Sequence, residues 1–148
     1  MSVLLIGIGH RFRRDDGVGP FVADHVRARG LSGIRVECHH GEGTGLMALW
    51  RGAERVVAVD AMASGAPPGT VRDWDVAAEA VPAALFPKSS HTFGLAEGIA
   101  MARLLGGLPP HFTVIGVEGR DFSAGEGLTP AVERAAVQVA EDLCRRLP

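Results

Sequence analysis

Three apolar runs constrain this chain more than anything else in it: Val3-Leu4-Leu5-Ile6, Arg55-Val56-Val57-Ala58-Val59-Asp60 and His111-Phe112-Thr113-Val114-Ile115-Gly116-Val117. Each is short and lacks the polar alternation of a half-exposed strand, so each reads as a strand covered on both faces, the habit of parallel sheets. Helical spacing fills the gaps between them. A helix is expected from about Val18, with Val18, Phe21, Val22 and Val26 as its apolar stripe and Gly30 near its end. Gly43-Thr44-Gly45 opens a short helix through Leu46, Leu49 and Trp50. A third helix is expected from about His91 or Thr92 to Leu105, closed by Gly106-Gly107. Pro130 starts the last, whose core face is Val132, Ala135, Ala136, Val139 and Leu143. Ile34 to Cys38 reads as a further strand. Thr70 to Trp74, after the Pro67-Pro68-Gly69 turn, suits an edge strand, and 76–88 carries no clear pattern. Strands alternating with helices predict an α/β fold: one domain over residues 1–148, a three-layer sandwich with a mostly parallel, twisted sheet of about five strands and helices on both faces.

Composition narrows the function classes. The chain has 148 residues, 47% hydrophobic and 22% charged, enough for a core that needs no disulfide or structural metal. A net charge of −2 offers no basic surface for nucleic acid. No apolar stretch is long enough to span a membrane. The first apolar run is broken by Gly7 and has no basic lead-in, so it is a strand rather than a signal peptide. Cys38 and Cys144 form no CxxC motif and suit free thiols. A cytoplasmic protein is expected.

Candidate chemistry lies on the loops. Gly7-Ile8-Gly9 starts like a dinucleotide fingerprint, but the third glycine of G-x-G-x-x-G would fall at position 12, which is Phe12. Neither a G-x-S-x-G elbow nor H-E-x-x-H occurs. In an open α/β sheet, ligands sit beyond the carboxyl ends of the strands, and two acids fall there. Asp16, in Asp15-Asp16-Gly17, follows the first strand and suits either a helix cap or a metal ligand. Asp60, at the end of the third strand, suits either a solvated turn starter or a ligand. His91 is either a helix-start residue or an imidazole donor. Glu37-Cys38-His39-His40 looks like a soft-ligand cluster, but strand neighbours point to opposite faces, which argues against a shared metal. Arg11, Arg13 and Arg14 form a basic run beside Asp16, either solvated or in contact with substrate.

The combination of these motifs resembles the hydrogenase maturation proteases. The resemblance is carried, in order along the chain, by Gly7-Ile8-Gly9 with Asp15-Asp16-Gly17-Val18-Gly19-Pro20, by Val59-Asp60-Ala61 with Pro67-Pro68-Gly69-Thr70, and by Ser90-His91-Thr92-Phe93-Gly94-Leu95. Val114-Ile115-Gly116-Val117-Glu118 and Leu128-Thr129-Pro130-Ala131-Val132 complete it. Two positions depart from the pattern: His10 stands where asparagine is usual and Gly119 where proline is common. The resemblance implies that Asp16, Asp60 and His91 are the metal ligands and the catalytic group, with the second acid of the Asp15-Asp16 pair in that role. His10 is a possible fourth ligand. Two carboxylates and an imidazole suit Ni(II) or another divalent metal and leave positions open for substrate or water. The implied activity is an endopeptidase that removes a C-terminal peptide from the nickel-loaded precursor of a [NiFe] hydrogenase large subunit. Its nickel would be presented by that precursor and its working form would be a monomer. The alternative is a non-catalytic nickel-binding maturation chaperone using the same site.

Overall fold

The computed structural model describes residues 2–86 and 93–147. Strands β1 (Val3–Ile8), β2 (Ile34–His39), β3 (Arg55–Met62), β4 (Val71–Asp75) and β5 (His111–Glu118) form one sheet in the order β2-β1-β3-β5-β4. All neighbours are parallel except β4, which runs antiparallel to β5 at the edge. Helices α1 (Val18–Ala28) and α4 (Pro130–Arg146) cover one face, and α2 (Gly43–Trp50) and α3 (Leu95–Leu105) the other. The expected α/β sandwich is the observed one.

The buried strands obey the period of two. Val3, Leu5, Val57, Val59, Ile115 and Val117 enter the core under α1 and α4. Leu4, Ile6, Val56, Ala58, Phe112 and Val114 enter the core under α2 and α3, where the Trp50 and Phe112 rings meet edge to face with centroids 4.9 Å apart. The amphipathic helices supply the outer layers: Val18, Val22 and Val26 from α1, and Val132, Ala136, Val139 and Leu143 from α4, are buried, whereas Phe21 and Ala135 are only partly so.

Some boundaries differ from expectation. The third strand continues two residues past Asp60, to Met62, because its ladder with β5 runs on through Met62↔Glu118. Helix α3 begins at Leu95; the expected start, His91 or Thr92, lies outside the described residues. Gly94 before it is extended (φ −109°, ψ −153°), and its N–H is taken by the Glu97 side chain at 2.8 Å, which closes the helix start there. Among its described residues, the unpatterned stretch after Val76 contains one short 3-10 turn, Ala83–Leu85.

The chain leaves β1 toward β2 on one side, then returns across β1 to β3 on the other. The carboxyl ends of β1 and β3 therefore flank a topological switch point, where neighbouring connections diverge and leave a crevice.

Candidate active site

Three glycines shape the crevice before any functional group enters it. A Cβ on Gly19 of α1 would lie 2.4 Å from the Ile8 carbonyl oxygen and 2.5 Å from that of Val59. One on Gly7 would lie 2.3 Å from the Gly19 carbonyl oxygen. The first turn of α1 thus rests directly on the ends of β1 and β3. These glycines serve close helix–sheet packing, and Phe12 removes the phosphate cradle they superficially suggest. At Gly9 the backbone turns through φ +141°, and a Cβ there would sit 1.9 Å from the Asp16 carbonyl oxygen. Gly9 lets the loop fold back so that its last acid returns to the strand it left.

Among the described residues four carboxylates are buried: Asp15, Asp16, Asp60 and Glu118. Their hydrogen bonding divides them. Asp15 Oδ2 accepts from the backbone N–H groups of Arg120 (2.8 Å) and Asp121 (3.0 Å) and from the Thr129 hydroxyl (2.8 Å), while Oδ1 accepts from Thr129 N–H (2.8 Å). Glu118 accepts from Ser64 N–H (3.0 and 3.1 Å to its two oxygens), the Ser64 hydroxyl (2.6 Å) and Gly65 N–H (3.3 Å). Both are saturated latches: one ties the Gly9–Gly17 loop to the loop after β5, the other holds the loop after β3. In contrast, among the described residues Asp16 accepts one hydrogen bond, from His10 N–H at 2.9 Å, with the Arg13 guanidinium 4.0 Å away. Among the same described residues Asp60 accepts one, from its neighbour Ala61 N–H at 2.9 Å.

Asp16 is therefore not the cap of α1. The N-cap position is Gly17, with no side-chain capping bond. The local chain instead forms a single 3-10 turn, Arg14–Gly17, with Asp16 N–H donating to the Arg13 carbonyl. Asp60 lies opposite Gly116 of β5 and one residue beyond the last β1 pair, Gly7↔Val59, so it stands in the crevice. Burial pushes its carboxyl well above the usual carboxylate range, and the nearby Asp16 charge pushes in the same direction, against the Ala61 N–H. Two buried acids that keep acceptor capacity among the described residues, with the charge of Asp16 acting against ionisation of Asp60, fit a divalent cation, which would attract both.

The third expected residue, His91, lies outside the described residues. Among those described, no three His, Cys, Asp or Glu side chains gather closely enough to hold a metal. His10 contributes its backbone N–H to Asp16 and leaves its side chain exposed. The Glu37–His40 segment does not form one cluster. Glu37 pairs with Arg35 at 2.9 Å, Cys38 accepts from Arg11 at 3.3 Å, and the His39 and His40 rings stack with centroids 4.5 Å apart. That stacking departs from strict alternation because β2 ends at His39.

The basic run splits as well. Arg11 makes a forked pair with Asp24, Arg13 faces Asp16, and Arg14 takes a left-handed φ of 47°. Sequence reasoning missed the latching roles of Asp15 and Glu118. An acid that satisfies distant backbone N–H groups looks the same in sequence as one that does not. Gly119, the departure from proline, has a structural reason: its N–H donates to the Met62 carbonyl at 2.9 Å, a bond proline cannot make.

A doubly wound sheet that gathers acids at its switch point is the architecture of an α/β enzyme with its site on the carboxyl edge. Comparison with known proteins narrows that class. The model of the hydrogenase maturation protease family matches residues 41–146. The hydrogenase expression/formation protein HupD of Thiocapsa roseopersicina is 32% identical over 153 residues, covering 95% of this chain and 68% of that protein. HoxM of Cupriavidus necator, of the same description, is 32% identical over 152 residues, covering 97% and 74%. The fold is shared with the hydrogenase maturating endopeptidase HybD from E. coli (TM-score 0.75, 22% identity, 98% of this chain and 93% of that one). It is also shared with the [NiFe] hydrogenase maturation protease HycI from Thermococcus kodakarensis (TM-score 0.75, 21% identity, 97% and 90%). The chain belongs to the hydrogenase maturation protease family, and it is by class a peptide-bond hydrolase.

Proposed function

We infer that this protein, acting through residues 1–148 as one peptidase domain, removes a C-terminal peptide from the nickel-loaded precursor of a [NiFe] hydrogenase large subunit. The observation that supports this most directly is the pair Asp16 and Asp60: buried, under-bonded, and close enough at the switch point that the charge of one disfavours ionisation of the other. Within the family pattern, His91 is the third donor of the set.

In this reading nickel arrives as part of the substrate, and Asp16, Asp60 and His91 supply the donors that dock it. Bound nickel would polarise the scissile carbonyl and acidify a water. The chain itself provides the rest. The 3-10 turn and the His10 N–H hold Asp16 toward the crevice, β3 fixes Asp60 within a rigid ladder, and the Gly9 turn brings the two together. The Gly7–Gly17 loop and the segment 61–88 would flank the incoming peptide, as loops on a rigid sheet edge commonly do, with Arg13 at the rim. Three protein ligands make a weak site in the isolated protein, to be completed by the precursor. No helix among the described residues is long and apolar enough to cross a membrane. We take the working form to be a cytoplasmic monomer that binds no nucleic acid.

The test is to incubate the protein with a nickel-loaded large-subunit precursor and to follow the precursor's mass. A shortened large subunit supports the reading. A complex that forms without any mass change would instead favour the non-catalytic nickel-binding chaperone.

A further inference from the structure

We propose that Asp15, the first acid of the pair, is a positioning residue that sets Asp16 in the crevice by locking its loop to the loop after β5; this rests on the reading of Asp16 as a ligand. The lock has two parts. The first is the Asp15 carboxylate itself, with four donors from Arg120, Asp121 and Thr129 on two oxygens. The second is a short backbone ladder alongside it: Asp15 N–H to the Asp121 carbonyl (2.9 Å), Arg14 N–H to the Gly125 carbonyl (3.0 Å) and Gly125 N–H to the Phe12 carbonyl (2.9 Å). Phe12, Arg14 and Asp15 are thus all pinned to the same partner loop, and Asp16 is the next residue. Thr129 shows where the binding energy goes. It occupies the N-cap position of α4 but makes no capping bond, and its hydroxyl donates to Asp15 instead. The left-handed Arg14 is held in the same ladder, with its guanidinium against Gly125 at a point where any Cβ would lie 2.8 Å from Arg14 Nε. An exposed arginine keeps that disfavoured φ only where its surroundings over-determine it.

The chemistry of the lock makes it testable. Every group facing the Asp15 carboxylate is a donor, and donors lie on both oxygens. In Asp15→Asn the new amide must point an N–H at another N–H in either orientation. Amide exchange then reads the position of Asp16 without any metal, because the His10 N–H donates to Asp16 Oδ2. Asp15→Asn should speed exchange at His10 and Gly125 by at least about tenfold while amides inside β1 and β3 keep wild-type protection, the signature of local opening. Thr129→Val, which removes one donor and is the gentler change, should do the same to a smaller degree. Thr129→Ser, which keeps the hydroxyl, should match wild type. Calorimetric titration with Ni²⁺ alone should show weaker binding in the first two variants and unchanged binding in the third. A purely structural role would raise exchange throughout the sheet in proportion to lost stability and would overturn the proposal, as would wild-type exchange at His10 in Asp15→Asn. If the wild-type protein binds no Ni²⁺ while the exchange pattern appears as described, the ligand reading fails and the positioning of Asp16 stands.

Discussion

At the scale of single residues, the four buried acids illustrate how hydrogen bonding separates support from function. Asp16 caps no helix, and an asparagine can still accept from His10 N–H through its carbonyl. Asp16→Asn should therefore melt within a few degrees of wild type, a change below about 1 kcal/mol, yet lose precursor cleavage because it brings no charge to a cation. Wild-type cleavage by that variant would remove Asp16 from the site. Asp60 makes a prediction about pH. A carboxyl whose native pKa lies above its unfolded value binds more protons when folded, so its contribution to stability falls as pH rises through that window. The metal-free protein should lose stability from about pH 4 upward on this account. Asp60→Asn should flatten that slope and melt higher than wild type at neutral pH while failing to cleave. Equal melting temperatures of the two proteins at pH 7 would show that Asp60 carries no such strain. Phe12 is large, apolar and 64% exposed, on a backbone pinned to Gly125. A pre-organised aromatic beside the crevice is suited to anchoring a peptide. Phe12→Ala should slow precursor processing about tenfold or more and leave the melting temperature unchanged; unchanged kinetics would show the ring to be idle surface.

At the scale of elements, the decisive contact is α1 against the ends of β1 and β3. Helix–strand approach this close tolerates no side chain at the crossing, and at Gly19 the obstacles are backbone atoms that cannot move aside. Gly19→Ala should cost about 1–3 kcal/mol through overpacking, measured by denaturant unfolding. It should also displace the turn that carries Asp16, so activity should fall further than stability. Gly30→Ala is the useful contrast. Gly30 has φ +64° with open space around it, so its substitution strains the chain locally and should leave cleavage intact. A Gly19→Ala protein as stable and active as wild type would mean that the crossing is looser than these distances indicate.

At the scale of the whole molecule, the sheet order places Asp16 and Asp60 on one edge. The loops after β1, β3 and β5 are joined there by the Asp15 and Glu118 latches, so the crevice is bounded by three loops pinned to one another. The stability of this arrangement comes from the two cores and these latches, and not from a cross-link: Cys38 on β2 and Cys144 on α4 are both free. The melting temperature should therefore be the same with and without a thiol reductant. A drop of several degrees on reduction would reveal a disulfide.

Much of this was legible from residue order alone. Apolar runs, helical stripes and glycine or proline punctuation determine elements through local sterics and burial period, so the α/β class, the strand sequence and an edge strand after Pro67-Pro68-Gly69 could be read directly, while the antiparallel direction of that strand came only from its pairing. Asp16 and Asp60 were legible as a pair for a related reason: donors that follow neighbouring parallel strands sit on one sheet edge whatever the details, whereas His91 entered through the family resemblance. Three-dimensional packing decided what local sequence does not encode. Nothing in Asp15-Asp16 says which acid meets four distant donors and which meets almost none, because those donors come from residues more than a hundred positions away. The same holds for Glu118, whose partners lie on the loop after β3. It also holds for Gly7 and Gly19, whose shared purpose exists only once a helix lies across two strand ends. Long-range proximity follows from how the layers stack, and stacking depends on the whole chain at once.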